Sequence, residues 1–250
     1  MLTNNELKYY SSLNSKKFRK LENKFLAEGK RLVSELLNSS YEIEIVFFTE
    51  NFEMNNAEFI RLIKGSKIKS EIVKEKDFKK LCDTLSPQGI VAVVKSFLNT
   101  KTTIEEKLIV ALESISDPGN LGTILRNSDW FGIKTIILSE NCAEVFNPKV
   151  LRSSMGAVFH LNIIESSRFV FDLRELYKDY NILTADMNGQ NLYESSINEK
   201  SILVMCNEAN GPSKELLEIT NTKLTIPKLG SVESLNVASA SAVLLAELTK

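Results

Sequence analysis

With 250 residues, 43% of them hydrophobic and 25% charged, the chain has the makeup of a soluble globular protein of one large or two ordinary domains. No stretch approaches the roughly 20 apolar residues of a membrane span, and the polar start Met1-Leu2-Thr3-Asn4-Asn5-Glu6 has no signal-peptide core. Three isolated cysteines and one histidine argue against a disulfide framework or a Cys/His metal site, so a cytoplasmic protein without metal is expected.

The net charge of −1 is unevenly spread. Residues 1–98 carry 17 Lys and Arg against 13 Asp and Glu, an excess of four positive charges. Much of it sits in Lys16-Lys17-Phe18-Arg19-Lys20. A basic cluster with an aromatic inside it suits contact with RNA phosphates, so Lys16, Lys17, Arg19 and Lys20 are candidate RNA ligands.

From Lys17 to Leu37 apolar residues recur at helical spacing, which predicts a helix there. Tyr41–Phe48 reads as a strand, Glu58–Ile63 as a helix, and Gln88–Val94, after the breaker Pro87, as a buried strand. These elements make a small α/β domain over residues 1–98. The polar stretch Leu98-Asn99-Thr100-Lys101-Thr102-Thr103 has linker composition, and the linker is placed at 99–106.

Beyond it, strands at 108–112, 134–138, 158–163, 181–185, 201–205 and 222–226 alternate with helices at 120–131, 147–154, 167–178, 213–218 and 236–249. That alternation predicts a mainly parallel sheet covered on both faces, in a second α/β domain over 107–250.

Three loops in this second domain carry the chemistry. The first, Asp117-Pro118-Gly119-Asn120-Leu121-Gly122, turns the chain after an apolar strand, with Asn120 expected to cap the helix that presents Arg126. An arginine at the carboxyl end of a parallel strand suits an anion or a sugar-phosphate backbone. The second is Cys206-Asn207-Glu208-Ala209-Asn210-Gly211-Pro212. The third runs from Ile226-Pro227 to Ser234-Leu235-Asn236-Val237. Its free backbone groups and apolar Ile226 and Leu235 suit an adenine-type ligand. Neither G-x-G-x-x-G nor G-x-x-x-x-G-K-[ST] occurs.

Taken in order, the three loops resemble the SpoU/TrmH family of RNA ribose 2′-O-methyltransferases of the SPOUT superfamily. Arg152-Ser153-Ser154-Met155-Gly156-Ala157 matches another recurrent family segment. Residues 1–98, closing on Pro87-Gln88-Gly89-Ile90-Val91-Ala92, resemble that family's substrate-binding domain of L30e type. The resemblance implies a SPOUT α/β trefoil-knot domain behind a smaller L30e-like domain, a homodimer, and S-adenosylmethionine as cofactor. It implies transfer of a methyl group to a ribose 2′-hydroxyl of RNA, with 23S rRNA favoured over tRNA. A noncatalytic RNA-binding assembly factor is the alternative reading.

By the same resemblance, Asn120, Arg126, Glu208, Ser234 and Asn236 are the expected catalytic set. In it, Glu208 would hold the Arg126 guanidinium, while Ser234 and Asn236 would fix the target nucleotide. Cys206, Asn207, Gly211, Ile226 and Leu235 would bind the cofactor. The family usually carries glycine where this chain has Cys206.

Overall fold

The computed structural model describes residues 2–96, 105–195 and 199–250. The chain forms two compact units. One comprises Met1–Phe97 with Phe146–Phe159, the other Leu98–Val145 with His160–Lys250.

The first unit opens on α1 (Asn4–Ser12), whose Thr3 and Glu6 form a reciprocal capping box. The helix expected over 17–37 is instead three elements: α2 (Lys16–Glu22), β1 (Lys24–Glu28) and α3 (Lys30–Leu37). The breaks have a local cause. Asn23 takes the left-handed conformation at φ 50° and ends α2, and Gly29 at φ 102° redirects the chain into α3. Between them Phe25, Leu26 and Ala27 are buried in β1, and their run mimicked a continued helical stripe.

The unit continues with β2 (Ile43–Phe48), α4 (Glu50–Asn55), α5 (Ala57–Gly65), β3 (Ser70–Ile72), α6 (Glu75–Leu81) and β4 (Ile90–Lys95). The strands form one sheet in the order β1-β4-β2-β3. β4 pairs antiparallel with both β1 and β2, and β3 runs parallel to β2. One core cluster joins Leu13, Leu26, Phe47, Phe78 and Val93. The predicted linker at 99–106 falls largely outside the described residues.

The second unit starts with β5 (Leu108–Glu113), α7 (Pro118–Trp130) and β6 (Thr135–Ser139). The next helix, α8 (Pro148–Ser154), groups with the first unit. There Phe146 stacks on Phe25 with ring centroids 4.4 Å apart, and Gly156 lies so close to Glu35 that a Cβ would be 2.4 Å from its Cγ. The strand expected at 158–163 is displaced. Ala157–Phe159 is a 3-10 turn, and β7 runs over Asn162–Ser166. His160 is exposed between them.

α9 (Phe169–Leu176), β8 (Asn181–Asn191), β9 (Ser201–Cys206), α10 (Lys214–Ile219), β10 (Thr222–Thr225) and α11 (Val237–Leu248) complete the unit. Its six strands lie in the order β10-β8-β9-β5-β6-β7, with every neighbouring pair parallel. On one face Ile109, Ala111, Ile202 and Val204 pack with Leu173 of α9 and Leu216 of α10. Alternate residues such as Val110, Leu112, Leu203 and Met205 are buried on the other face, where α11 meets β9 and packs along α7. The chain first builds outward from β5 to β7, then fills the other side. Its topological switch point therefore lies between β5 and β9, and open α/β sheets bind ligands beyond the carboxyl ends of such strands.

Candidate active site

The three motif loops meet beyond the ends of β5 and β9. Asn207, the first residue after β9, acts as the clamp. Its backbone N–H donates to the Glu113 carbonyl at 3.2 Å. Its side-chain amide donates to the Ser114 carbonyl at 3.2 Å and to Ser116 Oγ at 3.4 Å. Its Oδ1 and backbone carbonyl then accept from Ala209 N and Gly211 N, which closes the second loop on itself. Glu113 is buried, and its carboxylate takes two hydrogen bonds from Ser213, the residue that caps α10.

At the first loop the helix cap is Asp117, not Asn120. Asp117 Oδ1 accepts from the Asn120 N–H at 2.8 Å, with Pro118 as the first helical residue. An Asp directly before Pro-Gly is a sequence signature of a helix start and could have identified the cap. Asn120, in the first turn, is thereby freed for a tertiary role: its Oδ1 accepts from Asn236 Nδ2 at 3.0 Å. Asn236 in turn caps α11, its Oδ1 accepting from Ala238 N and Ser239 N.

Glu208 supplies the other cap of α11. Its Oε1 accepts from the Val237 N–H at 2.5 Å, which places a carboxylate at the positive end of the helix dipole. Asn127 of α7 bonds the Ala238 carbonyl and Ser241 Oγ, fastening the two helices side by side. Asn127 carries no local signal of this role, because its partners lie more than 110 positions away.

The structure thus bonds Asn120 to Asn236 and Glu208 to Val237 at the start of α11, while Asn207 ties the second loop to Ser114 and Ser116. Arg126 stays outside these bonds. Exposed on α7, it makes no hydrogen bond or ion pair among the described residues, and Glu208 is engaged with Val237 rather than with the guanidinium. Ser234 is exposed and unbonded among the described residues.

Cys206 is 8% exposed and its side chain belongs to the core between the sheet, α9 and α10. Burial and the nearby Glu113 push its thiol well above the usual range. It behaves as a small apolar residue. Ile226 is half-buried, Leu235 is 48% exposed, and a Cβ at Gly211 (φ 61°) would meet open space. Residues 228–235 form no backbone hydrogen bonds among the described residues, and Leu229 and Val232 are exposed with Leu235. Free N–H and C=O groups interleaved with apolar side chains are the donor set an adenosyl group requires, so the loop chemistry fits S-adenosylmethionine.

In the first unit Lys16, Lys17 and Lys20 are exposed beside Phe18 and Leu21, which are 38% and 66% exposed. Arg19 is a correction to the basic cluster. Only 5% exposed, its guanidinium donates to the Leu13 and Asn14 carbonyls at 3.0 and 2.7 Å and so ties α1 to α2. Among the described residues, no cluster of His, Cys, Asp and Glu could hold a metal ion, and no helix is long and apolar enough to cross a membrane.

A parallel sheet covered by helices, with its polar loops gathered at the switch point, defines a cofactor-binding α/β enzyme. Residues 107–246 match the SpoU rRNA Methylase family, and residues 4–92 match the MRM3-like substrate binding domain. The chain belongs to the SpoU rRNA methylase family and is an S-adenosylmethionine-dependent RNA methyltransferase.

A curated relative from Bacillus subtilis (strain 168), the 23S rRNA (guanosine(2553)-2′-O)-methyltransferase RlmP, is 34% identical over 98% of this chain and 96% of its own. A solved TrmH-family structure from Porphyromonas gingivalis superposes with a TM-score of 0.87 at 35% identity, covering 99% and 98% of the two chains. An AdoMet-bound rRNA methyltransferase from Sinorhizobium meliloti gives a TM-score of 0.87 at 26% identity, over 99% and 95%.

Proposed function

We propose that this enzyme methylates a ribose 2′-hydroxyl of 23S rRNA in the cytoplasm. The observation that carries the reading is the pair of bonds Asn120–Asn236 and Glu208–Val237 at the switch point, with Arg126 exposed on α7 and unpaired among the described residues. The 23S rRNA-specific relative, similar along nearly the whole chain, favours rRNA over tRNA.

Backbone groups of Asn207–Gly211 and of residues 228–235, with Ile226 and Leu235 as apolar walls, would hold S-adenosylmethionine. Bound there, it supplies an electrophilic methyl group on a sulfonium. The chain's own residues prepare the attacking oxygen. A ribose hydroxyl is a weak nucleophile and must lose its proton as the O–C bond forms. A guanidinium does not give up its proton in a protein, so Arg126 is not the base. It instead steadies the negative charge growing on the 2′-oxygen and holds the adjacent phosphate, whose oxygen accepts the proton. Asn120 and Asn236, locked to each other, position the ribose, and Ser234 contacts the target nucleotide. Glu208 is a positioning residue that fixes the start of α11.

Residues 1–98 form the substrate-binding domain that delivers RNA to the catalytic domain at 107–250, with Lys16, Lys17 and Lys20 on phosphates. The working form is a homodimer. Trp130 at the end of α7 is 84% exposed and gives the helix pair α7–α11 an apolar contact for a second copy.

The test is transfer of labelled methyl from S-adenosylmethionine into size-fractionated RNA from cells lacking the protein. Label confined to the 23S fraction supports the reading. Label in tRNA alone overturns the substrate, and absence of label from every fraction, including ribosomal assembly intermediates, overturns the activity.

A further inference from the structure

The carboxyl ends of β5, β6 and β7 open into a groove of about 410 Å³ that the methyl-transfer reading leaves unused. Ser114, Ser139, Asn141 and Ser166 are among its lining residues. One wall is the start of α9. There the Arg168 guanidinium carbon lies 4.6 Å from the centroid of the Phe171 ring, and that of Arg174 lies 5.9 Å from the same ring. Phe171 is 43% exposed, and among the described residues the ion pair Arg168 makes is a long 3.5 Å contact with Asp172.

We propose that this groove binds one unpaired nucleotide of the RNA, a neighbour of the methylated ribose, with its base against the Arg168–Phe171 pair. The proposal rests on the RNA methyltransferase reading and adds a second contact point on the catalytic unit.

Position is the first argument. The groove shares Ser114 with the motif loops: the Ser114 N–H donates to Ser139 Oγ at 2.8 Å, and its carbonyl accepts from Asn207. Ser114 also sits at φ 59°, a left-handed conformation that non-glycine residues hold only where the surroundings enforce it. A chain entering the motif loops therefore passes the groove's edge.

Size and chemistry decide the occupant. The volume lies low in the range of roughly 300–1,000 Å³ typical of ligand sites, which suits one nucleotide. An exposed cation–aromatic pair is a stacking surface for single-stranded bases. Of the lining residues, Glu140 and Glu215 are exposed carboxylates, Glu113 is a buried one and Arg168 is the one cation; Arg174, against the same ring, is paired with Glu175. That balance disfavours a phosphate inside the groove and favours a base, whose ring or amino N–H groups Glu140 and Glu215 can accept.

The test measures filter binding and methyl transfer with a 23S rRNA transcript for the wild type, Phe171→Ala, Arg168→Ala and Phe171→Tyr. The two alanine variants should raise the RNA KM and Kd roughly 5- to 100-fold, the range expected for one lost stacking contact. Phe171→Tyr should restore both constants, and the dissociation constant for S-adenosylmethionine should not move. Both alanine changes are on the surface, and unaltered thermal melting checks the fold. An active wild type with alanine variants of equal RNA affinity overturns the groove and leaves the enzyme reading standing. A wild type that methylates neither the transcript nor ribosomal assembly intermediates overturns the enzyme reading, and with it this site.

Discussion

The Asn236 side-chain amide donates to Asn120 Oδ1 at 3.0 Å, joining the first turn of α7 to the cap of α11 across 116 positions of chain. Asn236 uses its two ends differently: the oxygen caps a helix and the nitrogen reaches the neighbouring loop. Asn236→Ala should cost about 1 kcal/mol of stability, the usual loss of an N-cap. Asn236→Asp keeps a capping oxygen and removes the donor, so stability should largely persist while methyl transfer falls. Urea unfolding and turnover, measured on both variants, separate the two roles. Equal loss of stability in both would contradict the division.

Arg126 carries the chemical claim. Because it is exposed and unpaired among the described residues, Arg126→Ala should leave stability within about 0.5 kcal/mol. Turnover should drop at least ~100-fold, the scale on which one charge-stabilising donor acts. Calorimetry should find S-adenosylmethionine binding intact. Parallel loss of binding and turnover would reassign the residue to the cofactor.

Glu208 offers a graded test. Glu208→Gln retains an acceptor for the Val237 N–H but removes the charge at the helix start, so it should cost only a few tenths of a kcal/mol. Glu208→Ala leaves that N–H without its partner and should also weaken cofactor affinity, because the loop before Val237 loses its anchor. Isothermal titration of both variants with S-adenosylmethionine checks the order: Gln close to wild type, Ala weaker.

Gly189 guards the approach of β10 to β8. The pairing jumps from Lys223↔Thr184 to Leu224↔Gln190, so residues 185–189 bulge out of the ladder. At the return point a Cβ on Gly189 would lie 2.6 Å from the Lys223 carbonyl carbon and oxygen. Backbone cannot yield as a side-chain tip does, so Gly189→Ala should destabilise by more than ~2 kcal/mol and displace the strand that feeds the third loop. A thermal midpoint equal to wild type would show that the bulge relaxes freely.

The three thiols set an alkaline limit. Burial raises Cys82, Cys142 and Cys206 above their ordinary range, so the folded protein keeps them protonated where the unfolded chain releases the protons. Unfolding then loses bound protons once pH passes about 8.5, and stability falls as pH rises further. The urea midpoint should be lower at pH 9.5 than at pH 7.5. Replacing all three cysteines with alanine should shrink that difference. An unchanged pH dependence in the triple variant would exclude the thiols as its source.

The catalytic unit was the more legible part of the sequence. Strands such as Leu108–Glu113 and Ser201–Cys206 are buried on both faces, so they read as uninterrupted apolar runs bounded by turn residues. In the first unit, β1 was hidden because Phe25, Leu26 and Ala27 prolong the apolar spacing of the helices on either side. Only the backbone at Asn23 and Gly29 breaks the pattern. Site chemistry was legible as residue types and not as partnerships. Arg19 looks like Lys20 in sequence, yet the turn between α1 and α2 buries it against two carbonyls. Glu208 looked like a partner for Arg126, but the start of α11 claims it.

The central claim is that Arg126 and the joined motif loops deliver a methyl group to a ribose 2′-oxygen. The most direct measurement is alkaline hydrolysis of 23S rRNA after reaction with the wild type and with Arg126→Ala. A 2′-O-methyl group removes the nucleophile of alkaline cleavage, so the wild-type product should show one protected position that the Arg126→Ala product lacks. A methylated product that cleaves at every position would place the methyl on a base and contradict the account.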